Sequence, residues 1–413
     1  MSQDPQIPTP STERTVELAT DLLAADTRNP PGETQALAER IETFFRDLGL
    51  RTDVVATDPA KPNVLATIPG TGDRTLLYNG HLDTVPFDAD EWRFDPLGER
   101  DGDRLYGRGA TDMKGPLAAM LHAAEAFVES GVDPPVDLAF AVVSDEETGG
   151  KAGVETVLGS GAVDADACVI GETTCSEGRY SVTVADRGSI WLTLEAEGRA
   201  AHGSRPMLGE NAIDRLWAAI EAIRTRLPAR ELPIPADFGP ILEESRAYYE
   251  PSMGGTAARE LFERPTVNLG TIEGGDSVNT VPSTAGARLD VRLTAGVETS
   301  EILSDIRACL ADYPAVSIAD ASWSVGTYEP IDCPIVEAVT ATAHEVVDAP
   351  VHRRSATGGG DAKKFRNAGI STVEFAVGTD TVHAADEYVT VEALSRNAEV
   401  FTRLPAAWAA SLE

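Results

Sequence analysis

The sequence predicts an α/β fold in which a mixed, largely parallel sheet is flanked by helices and interrupted by a smaller α+β domain. Short apolar runs alternate with helical patterns up to residue 178, which is typical of a parallel sheet. The same alternation resumes near residue 327. Between these parts the pattern changes to neighbouring strands around a turn with a helix behind them, which suggests a small α+β sandwich. We therefore expect residues 1–178 and 327–413 to form the main domain and residues 179–326 to form an inserted domain.

Apolar periodicity and helix-end signals define the elements of the main domain. Before the insertion we expect helices at 11–26, 33–48, 115–130 and 151–160, and strands in PNVLATI, RTLLYNGHLD, VDLAFAVVSDEE and ADACVIGE. After it we expect a helix at 334–347, a turn in ATGGGDAKKF, a strand in STVEFAV, and a last helix from about Thr390.

The inserted domain has a different pattern. SVTVADRGSIWLTLEAEG is expected to form two neighbouring strands around a turn, followed by the amphipathic helix ENAIDRLWAAIEAIRTRL. Two further strands, a helix near 298–312 and a strand near 315–325 complete it. Residues 228–264 are rich in proline and glycine, so we expect a long irregular segment there. Nothing in the sequence assigns a role to that segment.

The formal net charge of -33 excludes several classes of partner. Nucleic acids and anionic membranes repel such a surface, because binding phosphate requires basic residues that release counterions. Only 5 of the 34 basic residues are lysine, and this composition resembles that of proteins from salt-accumulating halophiles. Since salt screens self-repulsion, we expect the protein to work in a high-salt cytoplasm.

The apolar segments are too short for a membrane helix or the core of a signal peptide. Cys168, Cys175, Cys309 and Cys333 show no CxxC spacing, so we expect reduced packing residues rather than disulfides or a cysteine zinc site. Together these features favour a cytoplasmic protein.

Acidic and imidazole side chains stand at the carboxyl ends of the predicted strands, where open α/β sheets bind their ligands. They are His81, Asp83, Asp112, Glu146, Glu147, Glu172 and His383. Each taken alone is also explained as an ordinary solvated or hydrogen-bonded polar residue. Collected at one edge, however, the carboxylates need positive charge, which a pair of divalent cations supplies. Imidazole and carboxylate donors suit zinc, with cobalt or manganese as alternatives.

Six motifs stand in the order seen in one known family. They are HLDTVP, LYGRGATDMKG, SDEETGG, IGE, AAHGSRP and HAADEYV, spread over about 300 residues. The chain thereby resembles the M20-type dimetal aminoacylase and peptidase family, which includes acetylornithine deacetylase, succinyl-diaminopimelate desuccinylase and carboxypeptidase G. The resemblance implies a zinc-peptidase-like catalytic domain, and an inserted lid domain that commonly pairs subunits into a homodimer.

The resemblance also implies roles for the residues at the strand ends. His81 and Glu172 are expected to hold the first metal, Glu147 and His383 the second, with Asp112 bridging both. Glu146 is expected to be the general base that takes a proton from a metal-activated water, and Asp83 to orient the His81 imidazole. A cis peptide bond between Asp112 and Met113 is a further implication.

The resemblance implies contacts with the substrate as well. His202 is expected to reach the active site of a partner subunit and stabilise the oxyanion, while Asn279 and Arg292 approach a substrate carboxylate. Gly359 and Gly360 allow close approach to the backbone. Lys363 stands where relatives often place an arginine, and lysine does not grip a carboxylate bidentately. Because of this departure, the sequence leaves open which anionic group the substrate carries at this end.

The combined reading is a metal-dependent hydrolase that cleaves the amide of an N-acyl amino acid. An exopeptidase or dipeptidase is the alternative within the family, because the same metal site cleaves either bond. A non-catalytic member that only binds a metal or metabolite is a second alternative, although all ligand positions and the base hold competent residues. A phosphoesterase is disfavoured by the charge. The acyl group and the cellular metal stay open.

Overall fold

The computed structural model of the protein describes residues 7–175 and 178–412. Its strands are β1 Thr52–Val55, β2 Asn63–Ile68, β3 Thr75–His81, β4 Glu99–Asp101, β5 Arg104–Tyr106, β6 Asp137–Val143, β7 Ala167–Ile170, β8 Tyr180–Ala185, β9 Gly188–Glu197, β10 Thr266–Gly274, β11 Thr284–Leu293, β12 Val316–Ser324, β13 Val351–Ser355, β14 Ser371–Glu374 and β15 Tyr388–Thr390. Its α-helices are α1 Thr12–Leu23, α2 Gln35–Asp47, α3 Lys114–Ser130, α4 Val154–Ser160, α5 Ala212–Arg226, α6 Gly239–Met253, α7 Gly255–Glu263, α8 Thr299–Leu310, α9 Pro334–Val347, α10 Ala362–Asn367 and α11 Val391–Ser411.

The chain divides into two compact units. Unit 1 consists of Met1–Val184, Glu329–Arg354 and Gly360–Glu413, and unit 2 of Ala185–Tyr328 and Ser355–Gly359. The predicted fold class is confirmed, since a mixed, largely parallel sheet and a separate antiparallel sheet are both present.

Unit 1 is built on an eight-stranded sheet in the order β1-β2-β6-β3-β7-β14-β8-β13. The four central strands β6, β3, β7 and β14 run parallel to their neighbours within that group. Their carboxyl ends therefore lie along one edge, where ligand sites of open α/β sheets form. This edge positions the candidate site.

The central strands are apolar on both faces because helices cover both faces of the sheet. In β3, six of the seven residues are buried. One face packs against α3, which is buried from Lys114 through Phe127, and the Tyr78 hydroxyl donates a 2.6 Å hydrogen bond to the Phe401 carbonyl of α11. On the other face, Leu77 and Cys168 belong to a core cluster with Phe365. The sheet is thus held rigid from both sides.

The prediction that SVTVADRGSIWLTLEAEG forms two neighbouring strands is wrong. Strand β8 lies between β14 and β13 in the eight-stranded sheet, whereas β9 lies between β11 and β12 in the other sheet. The turn at Asp186 and Arg187 therefore carries the chain from one sheet to the next. Short strands joined by a tight turn usually pair, and the sequence contains no signal for this separation.

Unit 2 is a four-stranded antiparallel sheet in the order β10-β11-β9-β12. Strand β9 alternates buried and more exposed residues, so one face carries the core. That core is completed by α5 and α8, through residues such as Leu216, Ile220 and Ile306. The result is an α+β sandwich of the predicted type.

The prediction of an irregular segment at 228–264 is wrong, because α6 and α7 occupy most of it. Several of its prolines and glycines stand at the ends of α6, where proline is tolerated in the first turn and glycine just after the last residue. Pro240 lies in the first turn of α6, Pro251 in its last turn, and Gly254 separates the two helices at φ +81°. The content of proline and glycine alone does not distinguish residues at helix ends from residues in an irregular loop.

No helix among the described residues is long and apolar enough to cross a bilayer. The four cysteines are unpaired, as the sequence predicted. Cys168, Cys175 and Cys309 are buried and Cys333 is half-buried.

Candidate metal centre

The predicted donors come from different segments of unit 1 that meet at the carboxyl edge of the sheet. His81 is the last residue of β3, Glu147 follows β6, and Glu172 follows β7. Asp112 lies just before α3, and His383 lies in the loop after β14. The bond between Asp112 and Met113 is cis, as the family resemblance implied.

Asp112 stands between the two histidines. Its Oδ1 lies 3.3 Å from Nε2 of His81, and its Oδ2 lies 3.0 Å from Nε2 of His383. The two oxygens of one carboxylate therefore address two different imidazoles. This is the arrangement that a carboxylate bridging two cations requires.

A glutamate accompanies each histidine. Glu172 Oε1 lies 3.3 Å from Nε2 of His81, and Glu147 Oε2 lies 3.4 Å from Nε2 of His383. Asp112 Oδ1 and Glu172 thus both lie beside His81, whereas Asp112 Oδ2 and Glu147 both lie beside His383. His81, Asp112 and Glu147 each offer a ligand atom, and these three atoms lie within 4.8 Å of one another.

The electrostatics of this cluster favour a cation. Although burial opposes it, hydrogen bonds with His383 and His81 hold the pKa of Asp112 well below its usual value. Hydrogen bonds with Asp112 and Glu147 raise the pKa of His383 to about 10. Burial, together with the nearby Asp112 charge, raises the pKa of Glu172 well above normal. The carboxylates therefore attract positive charge strongly, and a divalent ion provides it without a proton.

The donor set also fits a metal. Oε1 of Glu147 is buried and has no hydrogen-bond partner among the described residues, which is costly unless a ligand satisfies it. Two imidazole nitrogens and three carboxylates form a nitrogen and oxygen donor set without thiolate, which suits zinc, cobalt or manganese.

His81 is oriented through its second ring nitrogen. Nδ1 lies 2.9 Å from the main-chain carbonyl oxygen of Asp83. Because a carbonyl can only accept, Nδ1 carries the proton and Nε2 keeps its lone pair for a ligand. The orienting contact predicted for the Asp83 carboxylate is made by the Asp83 backbone instead, since Oδ1 lies 3.6 Å from Nδ1.

The carboxylate of Asp83 contacts the turn that carries both glutamates. It accepts the backbone N–H of Glu146 at 3.1 Å and that of Glu147 at 3.2 Å. The Asn29 amide donates to it as well, at 2.8 Å. Asp83 is fully buried, so these contacts satisfy a charge that would otherwise be costly.

Glu146 lies near the donors. Unlike Glu147, it makes no ion pair with His81 or His383 among the described residues. Burial raises its pKa to about 8, and the neighbouring charges of Asp361, Glu147 and Asp112 act in the same direction. A Cβ at Gly360 would come within 3.3 Å of Glu146 Oε1, so glycine there leaves this carboxylate uncrowded.

Sequence reasoning missed a polar network behind this turn. Asp145 has φ +67° and accepts hydrogen bonds from Lys61, Thr148 and the backbone N–H of Ala152. Asn29 also donates to Asp145, at 3.2 Å, and so links it to the Asp83 carboxylate. Asp145 was visible inside SDEETGG, but Asn29 and Lys61 stand in stretches with no local signal.

The other predicted substrate residues are divided between the units. His202, Asn279, Arg292 and Gly359 belong to unit 2, while Gly360 and Lys363 belong to unit 1. His202 is exposed, with Nδ1 2.8 Å from the Ser204 hydroxyl. Arg292 donates from Nε to Asp290 at 2.8 Å. Their substrate roles stay predictions.

Known proteins support the same interpretation. Acetylornithine deacetylase of Vibrio vulnificus is 32% identical over 289 residues, covering 68% of this chain and 67% of that protein. Succinyl-diaminopimelate desuccinylase of Methylocella silvestris is 28% identical over 405 residues, covering 94% and 96%.

Two solved structures share the fold. An M20 family metallo-carboxypeptidase from Sulfolobus solfataricus has a TM-score of 0.81 at 20% identity, covering 96% of this chain and 99% of its own. The YXEP protein of Bacillus subtilis, described as a dinuclear metal binding peptidase, has a TM-score of 0.64 at 14% identity, covering 96% and 97%. The family model Peptidase family M20/M25/M40 matches residues 77–407, and the chain therefore belongs to this family of metal-dependent hydrolases.

Proposed function

We propose that this hydrolase cleaves the amide bond of an N-acyl amino acid, as a deacylase of the acetylornithine deacetylase and succinyl-diaminopimelate desuccinylase type. One observation carries the two-metal part of the proposal: the two oxygens of Asp112 lie beside two different histidines, and each of these histidines also has a glutamate beside it. The likeness to both deacylases, one of them over nearly the whole chain, supports the substrate class.

In this proposal His81 and Glu172 would hold one cation, His383 and Glu147 would hold the other, and Asp112 would serve both. Bound cations polarise the scissile carbonyl and lower the pKa of water. Glu146 takes a proton from the attacking water and passes it to the leaving nitrogen. Burial raises the pKa of Glu146, which makes it a stronger base than an exposed glutamate.

Zinc is the metal we propose, because imidazole and carboxylate donors suit it; cobalt or manganese can replace it with the same ligands. Elemental analysis of the protein purified without chelator is expected to find two zinc ions per chain. Removal by a chelator is expected to abolish turnover, and re-addition of zinc, cobalt or manganese to restore it.

A substrate panel tests the reaction. Steady-state assays with acetylornithine, succinyl-diaminopimelate and a set of dipeptides are expected to give the highest kcat/KM on an acylated amino acid. Cleavage of dipeptides alone would favour the exopeptidase alternative, for which the fold likeness to a carboxypeptidase is the supporting observation. Absence of amide hydrolysis with all three metals would favour a binding protein.

We also propose that the protein forms a homodimer through unit 2, where His202 would serve the partner's site. Unit 2 exposes several large apolar side chains: Met207, Leu208, Trp217 and Val278. Exposed apolar groups of this kind mark interaction surfaces. Light scattering is expected to give twice the mass of the 413-residue chain. Met207→Glu with Leu208→Lys is expected to give a monomer, and a monomeric wild type would refute the proposal.

The resemblance assigns the substrate's carboxylate to Asn279, Arg292, Gly359, Gly360 and Lys363, and of these we propose for unit 1 that Lys363 acts as a point charge. Replacing Lys363 by arginine tests this assignment. It is expected to lower KM for substrates with a free carboxylate and to leave KM for their amides unchanged.

A saline cytoplasm is the proposed location, supported by the four unpaired cysteines and the net charge of -33. Screening shortens from about 10 Å at 0.1 M salt to about 3 Å at 1 M, so self-repulsion falls as salt rises. The melting temperature is expected to be higher in 2 M KCl than in 0.1 M KCl. Sucrose at matched osmolality is the control, and equal melting temperatures in the two salt concentrations would contradict the proposal.

A further inference from the structure

A buried ion pair lies directly beneath the candidate centre in unit 1. Arg108 Nη1 donates to Glu387 Oε2 at 2.6 Å, and their side chains are only 4% and 0% exposed. Burying such a pair gains little stability on balance, because desolvation of both charges offsets their attraction. The pair also contacts the loop that carries Asp112 and the loop that carries His383, and these contacts indicate a second role beside stability.

Glu387 fixes the loop that carries Asp112. Its Oε1 accepts the backbone N–H groups of Thr111 at 2.9 Å and Asp112 at 3.1 Å. Its Oε2 accepts the backbone N–H of Gly109 at 3.1 Å in addition to the guanidinium of Arg108. Hydrogen bonds to a charged acceptor are about twice as strong as neutral ones. One carboxylate thus sets the backbone orientation from Gly109 to Asp112.

Arg108 fixes the loop that carries His383. Its Nη2 donates to the His383 carbonyl oxygen at 3.2 Å, and its guanidinium carbon lies 5.3 Å from the centre of the Trp92 ring. His383 has φ +62°, a region that residues with a side chain rarely adopt. This backbone conformation therefore depends on its neighbours, and Arg108 is one of them.

We propose that Arg108 and Glu387 form a ligand clamp, a pair of positioning residues that presets the spacing of Asp112 and His383 and so determines the affinity for the second cation. The inference rests on the ligand assignment proposed above. The clamp contacts neither His81 nor Glu172 among the hydrogen bonds of the described residues, so the first cation should depend on it less.

Cobalt titration of the metal-free protein tests the clamp. Visible absorption and calorimetry report Co²⁺ binding independently of activity, and wild type is expected to bind two equivalents. Arg108→Lys retains the charge beside Glu387, but a single ammonium cannot reproduce the planar fork that also reaches the His383 carbonyl. We expect the Kd of the second equivalent to rise by roughly 10- to 100-fold, the usual effect of losing a residue that supports a metal ligand. The first equivalent should lose less affinity than the second, because the clamp does not contact His81 or Glu172, although Asp112 serves both proposed sites.

Arg366→Lys is the matched control. Arg366 lies 3.6 Å from Glu329, their side chains are 4% and 9% exposed, and its Nε donates to the Thr372 carbonyl at 2.9 Å. This pair is buried like the clamp, but the contacts of Arg366 with Glu329 and with the Thr372 carbonyl involve none of the proposed metal ligands. Its removal is expected to lower the melting temperature without changing either cobalt affinity.

The outcomes separate the possibilities. The clamp proposal would be refuted if Arg108→Lys bound cobalt with wild-type affinity. It would also be refuted if Arg108→Lys and Arg366→Lys lost equal cobalt affinity, and the ion pair would then be purely structural. If Arg108→Lys does not fold, Glu387→Gln serves instead, because its amide keeps one acceptor for Thr111 and Asp112 while losing the one facing Arg108. Failure of the wild type to bind two equivalents would refute the two-metal proposal itself, which is a different result.

Discussion

Glu146→Gln protein is expected to bind two metal ions with wild-type affinity and to turn over roughly 10²- to 10⁴-fold more slowly, the usual contribution of a general base. Glutamine has nearly the same shape but cannot accept the proton of water. The turn that carries residue 146 should persist, because Asp83 binds its backbone N–H rather than its side chain. Metal content by elemental analysis and kcat on the best substrate are the measurements.

The same change one residue later is the control. Glu147→Gln is expected to lower metal content, because Glu147 Oε2 lies 3.4 Å from His383 and its other oxygen is buried without a partner among the described residues. In glutamine one of these two oxygens is replaced by an NH₂ group, which cannot bind a cation. Equal metal content in the two variants would show that the roles of Glu146 and Glu147 are wrongly assigned.

Asp112→Asn is expected to have the second large effect. One oxygen becomes an NH₂ group, which cannot bind a cation, so the side chain can serve only one of the two positions that His81 and His383 define. We expect metal content to fall from two ions to one or fewer. Turnover should fall by roughly 10³-fold or more, since two ions together stabilise the charge that develops in the transition state by several kcal/mol.

Asp186→Asn controls for the general cost of neutralising a buried aspartate. Asp186 is 1% exposed and belongs to unit 2, where its carboxylate accepts hydrogen bonds from the backbone and hydroxyl of Thr327. This variant is expected to lose stability while keeping both metal ions. Two ions retained by Asp112→Asn would exclude a bridging role for Asp112.

The central sheet and its ligand edge were predictable from local pattern. Strands such as β3 and β7 are short apolar runs that end directly at His81 or shortly before Glu172, and the parallel arrangement places those ends together. The site therefore follows from the alternation of strands and helices plus the residue that comes after each strand. Only the pairing of donors around Asp112 needed the family resemblance.

The surroundings of the site were not predictable in this way. Asn29 contacts Asp83 across 54 residues, and Lys61 contacts Asp145 across 84 residues. Such contacts depend on tertiary packing, which no periodic pattern records. Arg108 lies in the motif LYGRGATDMKG and Glu387 in HAADEYV. Neither motif indicates that these two residues, 279 positions apart, form an ion pair.

Strand β14 is inserted between β7 and β8, although it follows β8 by nearly two hundred residues. During synthesis on the ribosome, β7 and β8 emerge long before the strand that must separate them. A nascent chain that closed this gap prematurely would exclude β14 and the His383 loop behind it. Productive folding therefore requires that the position between β7 and β8 stays open until β14 has been synthesised.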